Sequence, residues 1–154
     1  MITDTARYHG SFFSLLFDEA QGATEITKLS NHGAGYYLLD GCVPIYLKHS
    51  TRRNGPWTFN FFRSHQETQQ ELFKTYGECF TCMVCGRDGV AGLNMTEFRQ
   101  VLDMNFEEQE CVSVRRRLKG MYAIKGRDGQ LERRVGRRTV FERLLQASKS
   151  TRLS

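Results

Sequence analysis

The reading of the fold turns on residues 35–62, GYYLLDGCVPIYLKHSTRRNGPWTFNFF. The stretch reads as three consecutive β-strands. Tyr36 to Leu39 is apolar and aromatic, Asp40-Gly41 is a two-residue hairpin turn, and residues 43–48 form the return strand. A polar, basic loop over 50–56 leads to a third strand over 57–62. A two-residue turn pairs Leu39 with Cys42 and Tyr36 with Ile45, and carries Lys48 opposite Gly33. The period of two sends Val43, Ile45 and Leu47 to one face, and Pro44, Tyr46 and Lys48 to the other. A lysine ending so apolar a strand must bring its charge to water, a carboxylate or a phosphate. His49, Ser50, Thr51, Arg52 and Arg53 follow at once, and this run is the leading functional signal of the chain.

Working outward, residues 11–21 carry a helical stripe of Phe12, Phe13, Leu16 and Phe17, with Ser11 as cap and Gly22 as stop. A polar stretch over 27–32 joins this helix to the strands. On the other side, Ser64 and Glu67 form a capping box for a helix that ends at Gly77. A strand over 78–85, a turn over 86–89 and a return strand over 90–93 come next. Asn94 with Glu97 caps a helix that buries Phe98, Val101 and Leu102. Residues 111–116 and 121–125 read as a hairpin around Lys119-Gly120, and a turn over 127–129 leads to a strand ending at Val135. Thr139 with Glu142 opens a final helix with Val140, Phe141, Leu144 and Leu145 on one face and a frayed tail from Ser148. Strands that pair as hairpins rather than alternate with helices predict an α+β fold. The expected core is helix–three strands–helix–strand on a mixed β-sheet, with a basic C-terminal hairpin and helix as an extension, all in one domain spanning 1–154.

A chain of 154 residues is long enough for one real core. The opening MITDTARYHG lacks the basic-then-apolar pattern of a signal peptide, and no apolar run approaches bilayer length. Five cysteines without a paired framework suit a reducing cytoplasm. The net charge of +5 hides an asymmetry: residues 1–112 hold 9 Lys/Arg against 14 Asp/Glu (−5), residues 113–154 hold 13 against 3 (+10). So basic a C-terminal third points to nucleic acid as partner, DNA before RNA, with an acidic protein as the alternative. The expected contacts are Arg115, Arg116, Arg117 and Lys119 on one hairpin, and Arg133, Arg134, Arg137 and Arg138 before the last helix. His49, Arg52, Arg53 and Trp57 join them from the central loop, and Tyr37, Tyr46 and Trp57 are candidates for stacking on bases.

The order helix–three strands–helix–strand over residues 11–85, with Lys48 ending the second strand, resembles the core of the PD-(D/E)xK, or restriction-endonuclease-like, superfamily. The resemblance implies Mg²⁺-dependent phosphodiester hydrolysis, in which two carboxylates hold the metal and the lysine stabilises charge. Lys48 matches the motif lysine, but the acidic position two residues earlier holds Tyr46, and the strand opposite Lys48 offers Asn31, His32 and Gly33. Asp40 sits in the turn, about seven residues along a strand from Lys48, on the order of 20 Å. A site on this core would use Lys48 with Glu25 or Glu19, His32 and His49. The missing carboxylates favour a nucleic-acid-binding protein with weak or no catalysis over a nuclease using Mg²⁺, and a protein-interaction module is the third reading.

Cys79, Cys82 and Cys85 have spacing that suggests zinc, yet CFTCMVC is a strand pattern in which residues three apart face opposite ways. They read as small apolar core residues, and no metal is expected on them. P-loop, nucleophile-elbow, dinucleotide and HExxH motifs do not occur in the sequence.

Overall fold

The computed structural model describes residues 1–117 and 119–152. Its helices and strands form an α+β fold built on two sheets. The first helix, α1 (Asp4–Glu19), begins well before the expected start, because Thr3 and not Ser11 caps it, accepting the Ala6 N–H at 3.1 Å. Phe12 and Leu16 form its buried stripe, while Phe17 stays exposed. The polar stretch that follows contains a short strand, β1 (Ile26–Lys28), which the sequence pattern did not reveal.

The hairpin β2 (Tyr36–Leu39) and β3 (Val43–Ser50) forms as expected, but one residue out of register. Asp40 and Gly41 both take positive φ (50° and 71°), and the Cys42 N–H closes the turn on the Leu39 carbonyl at 3.0 Å. Cys42 remains as an extra residue, so Leu39 pairs with Val43 and Tyr36 with Tyr46. Tyr36 and Tyr46 consequently stack, ring centroids 4.2 Å apart.

The third expected strand, β4 (Trp57–Phe62), forms but leaves this sheet. The helix α2 (Arg63–Tyr76) then returns the chain to β5 (Phe80–Cys85), which lies parallel to β3, and β6 (Gly89–Leu93) closes the sheet in the order β1-β2-β3-β5-β6. The start of α2 departs from the expected Ser64–Glu67 box: the His65 ring nitrogen Nδ1 accepts the Phe62 N–H at 3.2 Å, and Gly77 ends the helix with φ 82°. Asn94 and Glu97 cap α3 (Met95–Val101) reciprocally, as their spacing implies. The second sheet, β4-β7-β8-β9, uses β7 (Gln109–Arg116), β8 (Tyr122–Gly126) and the two-residue β9 (Gly129–Gln130). The expected strand through Val135 shrinks to β9 and a single bridge between Tyr122 and Val135.

The helix α4 (Thr139–Arg152) continues through the tail expected to fray. Ser148 is buried and donates to Asp40 Oδ2 at 2.6 Å, which ties the helix end to the β2–β3 turn. Strand alternation divides the interior in two. Val43, Ile45, Leu47 and Cys82 pack with α1 and α4, while Tyr46, Met83 and Leu93 share a second cluster with α2, α3 and the inner face of the second sheet. Gly92 allows α4 to approach, since a Cβ there would lie 2.1 Å from Val140 Cγ2. Among the described residues no helix is long and apolar enough to cross a membrane.

Candidate nucleic-acid interface

Two clefts flank β4. The larger, about 620 Å³, is lined by Arg53 from the loop after β3, Arg115, Arg116 and Arg117 from the end of β7, and Arg134. These come from three sequence regions: the β4–β7 pairing of Trp57 with Val114 brings Arg53 to the β7 arginines, and the Arg116–Tyr122 pair with the Tyr122–Val135 bridge brings Arg134. Arg116 differs from the rest. It is half-buried, grips Asp88 through Nε (2.7 Å) and Nη2 (2.5 Å), and also donates to the Arg117 and Gly120 carbonyls. Tyr122 Oη donates to Asp88 at 2.8 Å. The Arg116 guanidinium, and secondarily the Tyr122 hydroxyl, hold the Asp88 carboxyl below its ordinary range. The one carboxylate among the described lining residues is thus already neutralised, while Arg53, Arg115, Arg117 and Arg134 stay exposed. The open face of the second sheet continues from this cleft, with Thr58, Asn60, Ser113, Arg115 and Lys125 turned away from the core by strand alternation.

The second cleft, about 440 Å³, lies where β2 stops short of the end of β3. Lys48, His9, His49, His65, Thr5, Thr58 and Asn60 supply its polar lining. The Lys48 ammonium sits 5.4 Å from the Tyr46 ring centroid and 5.2 Å from that of Phe61, and among the described residues no carboxylate pairs with it. Burial pulls its pKa down to about 8. His49, next along β3, faces the other way and stacks on Tyr8 at 4.9 Å, with His9 edge-on at 6.0 Å. His9 Nδ1 lies 2.8 Å from Tyr37 Oη. Burial lowers the pKa of all three histidines. His49 and Lys28 add to the effect on His9, and Lys48 adds to it on His65. On His49, Asp4 opposes and Lys48 reinforces it.

The chain matches no protein-family model, no curated protein and no solved structure.

The expected catalytic group does not assemble. Glu25 immediately precedes β1 beside the hairpin turn, where its carbonyl accepts the Asp40 N–H and its own N–H donates to Asp40 Oδ1, and Glu19 lines a cavity with Asp40 and Arg152. Both lie at the turn end of β3, about 17 Å of strand from Lys48. His32 rests edge-on against Tyr36, 6.4 Å away, so the Tyr36–Tyr46 stack lies between it and Lys48. Magnesium prefers anionic oxygen ligands. The described lining of the Lys48 cleft offers none, and among the described residues no three His, Cys, Asp or Glu side chains gather as a ligand set. The residues present do not fit the metal that the resemblance implies.

Of the expected contacts, Trp57 is corrected outright. It is 3% exposed and donates its indole N–H to the Arg52 carbonyl, so it cannot stack on a base; Tyr46, also 3% exposed, cannot either. Arg52 spends part of its guanidinium on the Pro56 carbonyl at 3.1 Å. Arg133, Lys119 and Arg137 are exposed, with Arg137 reaching the Asp88 carbonyl at 3.5 Å. Arg138 lines a neighbouring cleft with Arg7 and Arg87. Cys79 and Cys85 fall in one core cluster and Cys82 in the other, on opposite faces of the sheet as the strand pattern requires. The sequence reading missed His9, His65 and Asn60. The period-two pattern of WTFNFF could have turned Asn60 outward, but nothing local marks the two histidines.

Proposed function

We propose that this protein binds nucleic acid through the phosphate backbone and does not hydrolyse it. The carrying observation is the cleft of Arg53, Arg115, Arg117 and Arg134, whose described carboxylate, Asp88, is occupied by Arg116. Exposed guanidiniums without a counter-charge favour a polyanion, because each phosphate contact releases condensed counterions. The restriction-endonuclease-like reading belongs to the same proposal. It is supported by α1, the β1-β2-β3 meander, α2 and β5 parallel to β3, with Lys48 near the end of the third strand. Five unpaired thiols, three of them in the core, support a reducing compartment such as the cytoplasm.

The test is binding of DNA and RNA oligonucleotides across a salt series, comparing the parent with Arg53→Ala, Arg115→Ala, Arg117→Ala and Arg134→Ala combined. Arg116 is left intact because it anchors Asp88. The slope of log K against log salt should fall by roughly 3 to 4, near 0.9 per lost phosphate contact. An unchanged slope would remove the arginine cleft from the interface. Cleavage by the parent in Mg²⁺ that disappears in Lys48→Ala and Glu25→Gln would restore the nuclease.

A further inference from the structure

We propose that the Lys48 cleft receives a phosphate monoester, the charged end of a nucleic-acid strand whose backbone runs along β4 to the arginine cleft. The inference rests on the nucleic-acid reading above and gives it a polarity. Its basis is a set of donors with no anion among them. Lys48 is held between the Tyr46 and Phe61 rings, and no described carboxylate is paired with it. A half-buried ammonium without a counter-ion is costly, and an arriving anion would offset that cost. His65 accepts the Phe62 N–H at Nδ1, so its neutral ring carries the proton on Nε2 as a donor. The backbone adds another donor. The Leu47 N–H bonds the Gly35 carbonyl at 2.8 Å, so alternation points the His49 N–H to the same side, beyond the end of β2. Thr5, Thr58 and Asn60 complete the lining, and about 440 Å³ lies within the range of small-ligand sites.

The neighbouring charges favour a dianion over an internal diester. Lys48 acts on His49 and His65, while His49 and Lys28 act on His9, each opposing protonation of the next. Asp4, which acts oppositely on His49, is exposed and paired with Arg7 at 3.5 Å. A monoester, with its second pKa near 6, brings a second negative charge that reverses this mutual penalty and promotes proton uptake. A diester brings a single charge, which spaced arginines already match. The two clefts are adjacent, since Trp57 lines one and its neighbour Thr58 the other.

The experiment compares oligonucleotides of about twelve nucleotides ending in 5′-phosphate, 3′-phosphate or hydroxyl, with inorganic phosphate as a separate ligand. One terminal phosphate should tighten binding about tenfold or more, more at about pH 6.5 than at about pH 8.5. Lys48→Met and, independently, His65→Gln should abolish that gain while leaving the hydroxyl-ended strand bound as before. Arg115→Ala with Arg117→Ala should weaken every oligonucleotide alike. Equal affinity for phosphate and hydroxyl ends overturns the inference and leaves the nucleic-acid reading standing. Inorganic phosphate binding as tightly as the phosphorylated strand overturns the strand-end assignment. Binding of no oligonucleotide overturns the nucleic-acid reading. The histidine NMR resonances then decide the cleft: phosphate-dependent shifts at His49 and His65 support a phosphate receptor, and unmoved resonances overturn it.

Discussion

At the scale of the residue, Lys48 carries the most testable chemistry. Its pKa of about 8 in the folded protein lies below the roughly 10.4 of an unfolded chain. Between those values the unfolded state binds more protons, so the Lys48 contribution to stability rises as pH climbs from about 8 to about 10.4. At neutral pH the charged lysine is therefore a cost. Lys48→Met should raise the melting temperature at about pH 7, by the equivalent of about 1–2 kcal/mol, and the gain should fade toward about pH 10. Thermal melts of parent and variant across that range make the check, and parallel curves would mean that the ammonium is fully solvated. The lysine was legible in the sequence because strand alternation alone isolates a charge at the end of an apolar run. Its partners were not. His9 lies in a helix whose start depends on Thr3, upstream of the visible stripe, and His65 sits inside a Ser64–Glu67 pattern that imitates a different cap.

At the scale of the element, the β2–β3 hairpin shows how a correct turn can still give a wrong register. Asp40-Gly41 forms the expected turn, both residues left-handed, but Cys42 adds one residue to the loop, and Lys48 loses the partner that a two-residue turn assigns. Nothing in the local sequence distinguishes the two loops, since both place Val43, Ile45 and Leu47 on the same apolar face. The observed register goes with tertiary contacts of Asp40. Its Oδ1 accepts the Glu25 N–H at 2.9 Å and its Oδ2 the Ser148 hydroxyl at 2.6 Å, so one carboxylate fastens β1 and the end of α4. Asp40→Ala removes both acceptors and places alanine at a φ of 50°, so it should lower stability by about 2–4 kcal/mol. Asp40→Asn tolerates the left-handed backbone and keeps one acceptor, and should cost less than half as much. Urea unfolding of the two variants separates this anchoring role from a metal-binding one, which would leave stability without metal nearly unchanged.

At the scale of the whole molecule, the α+β class followed from local signals, while the division into two sheets did not. The segment WTFNFF alternates buried and exposed residues as a strand of either sheet would, and its choice of β7 over β3 rests on pairings from Trp57↔Val114 to Phe62↔Gln109, distant in the sequence. The same choice created the candidate interface, because it carries Arg115 and Arg117 to Arg53 and leaves the end of β3 open around Lys48. It also merges the two sheets into one core. Tyr36, Tyr46 and Met83 from the first share a cluster with Phe59, Phe61, Val112 and Ile124 from the second. Trp57, the sole tryptophan of the sequence, lies at this seam. Its indole N–H bonds the Arg52 carbonyl at 3.0 Å, and its ring meets Tyr122 edge-on at 6.0 Å. Gly86, with a φ of 53°, lets the β5–β6 turn approach Arg52, and a Cβ there would lie 2.2 Å from the Arg52 carbonyl oxygen. If the sheets unfold as one unit, Trp57 fluorescence and far-UV circular dichroism should report the same urea midpoint and the same m-value. Gly86→Ala, which strains the loop carrying Arg52 and Arg53, should move both probes together to lower urea. A fluorescence midpoint well below the dichroism midpoint would mean that the second sheet opens separately, and the two clefts beside β4 would then be formed by a mobile joint.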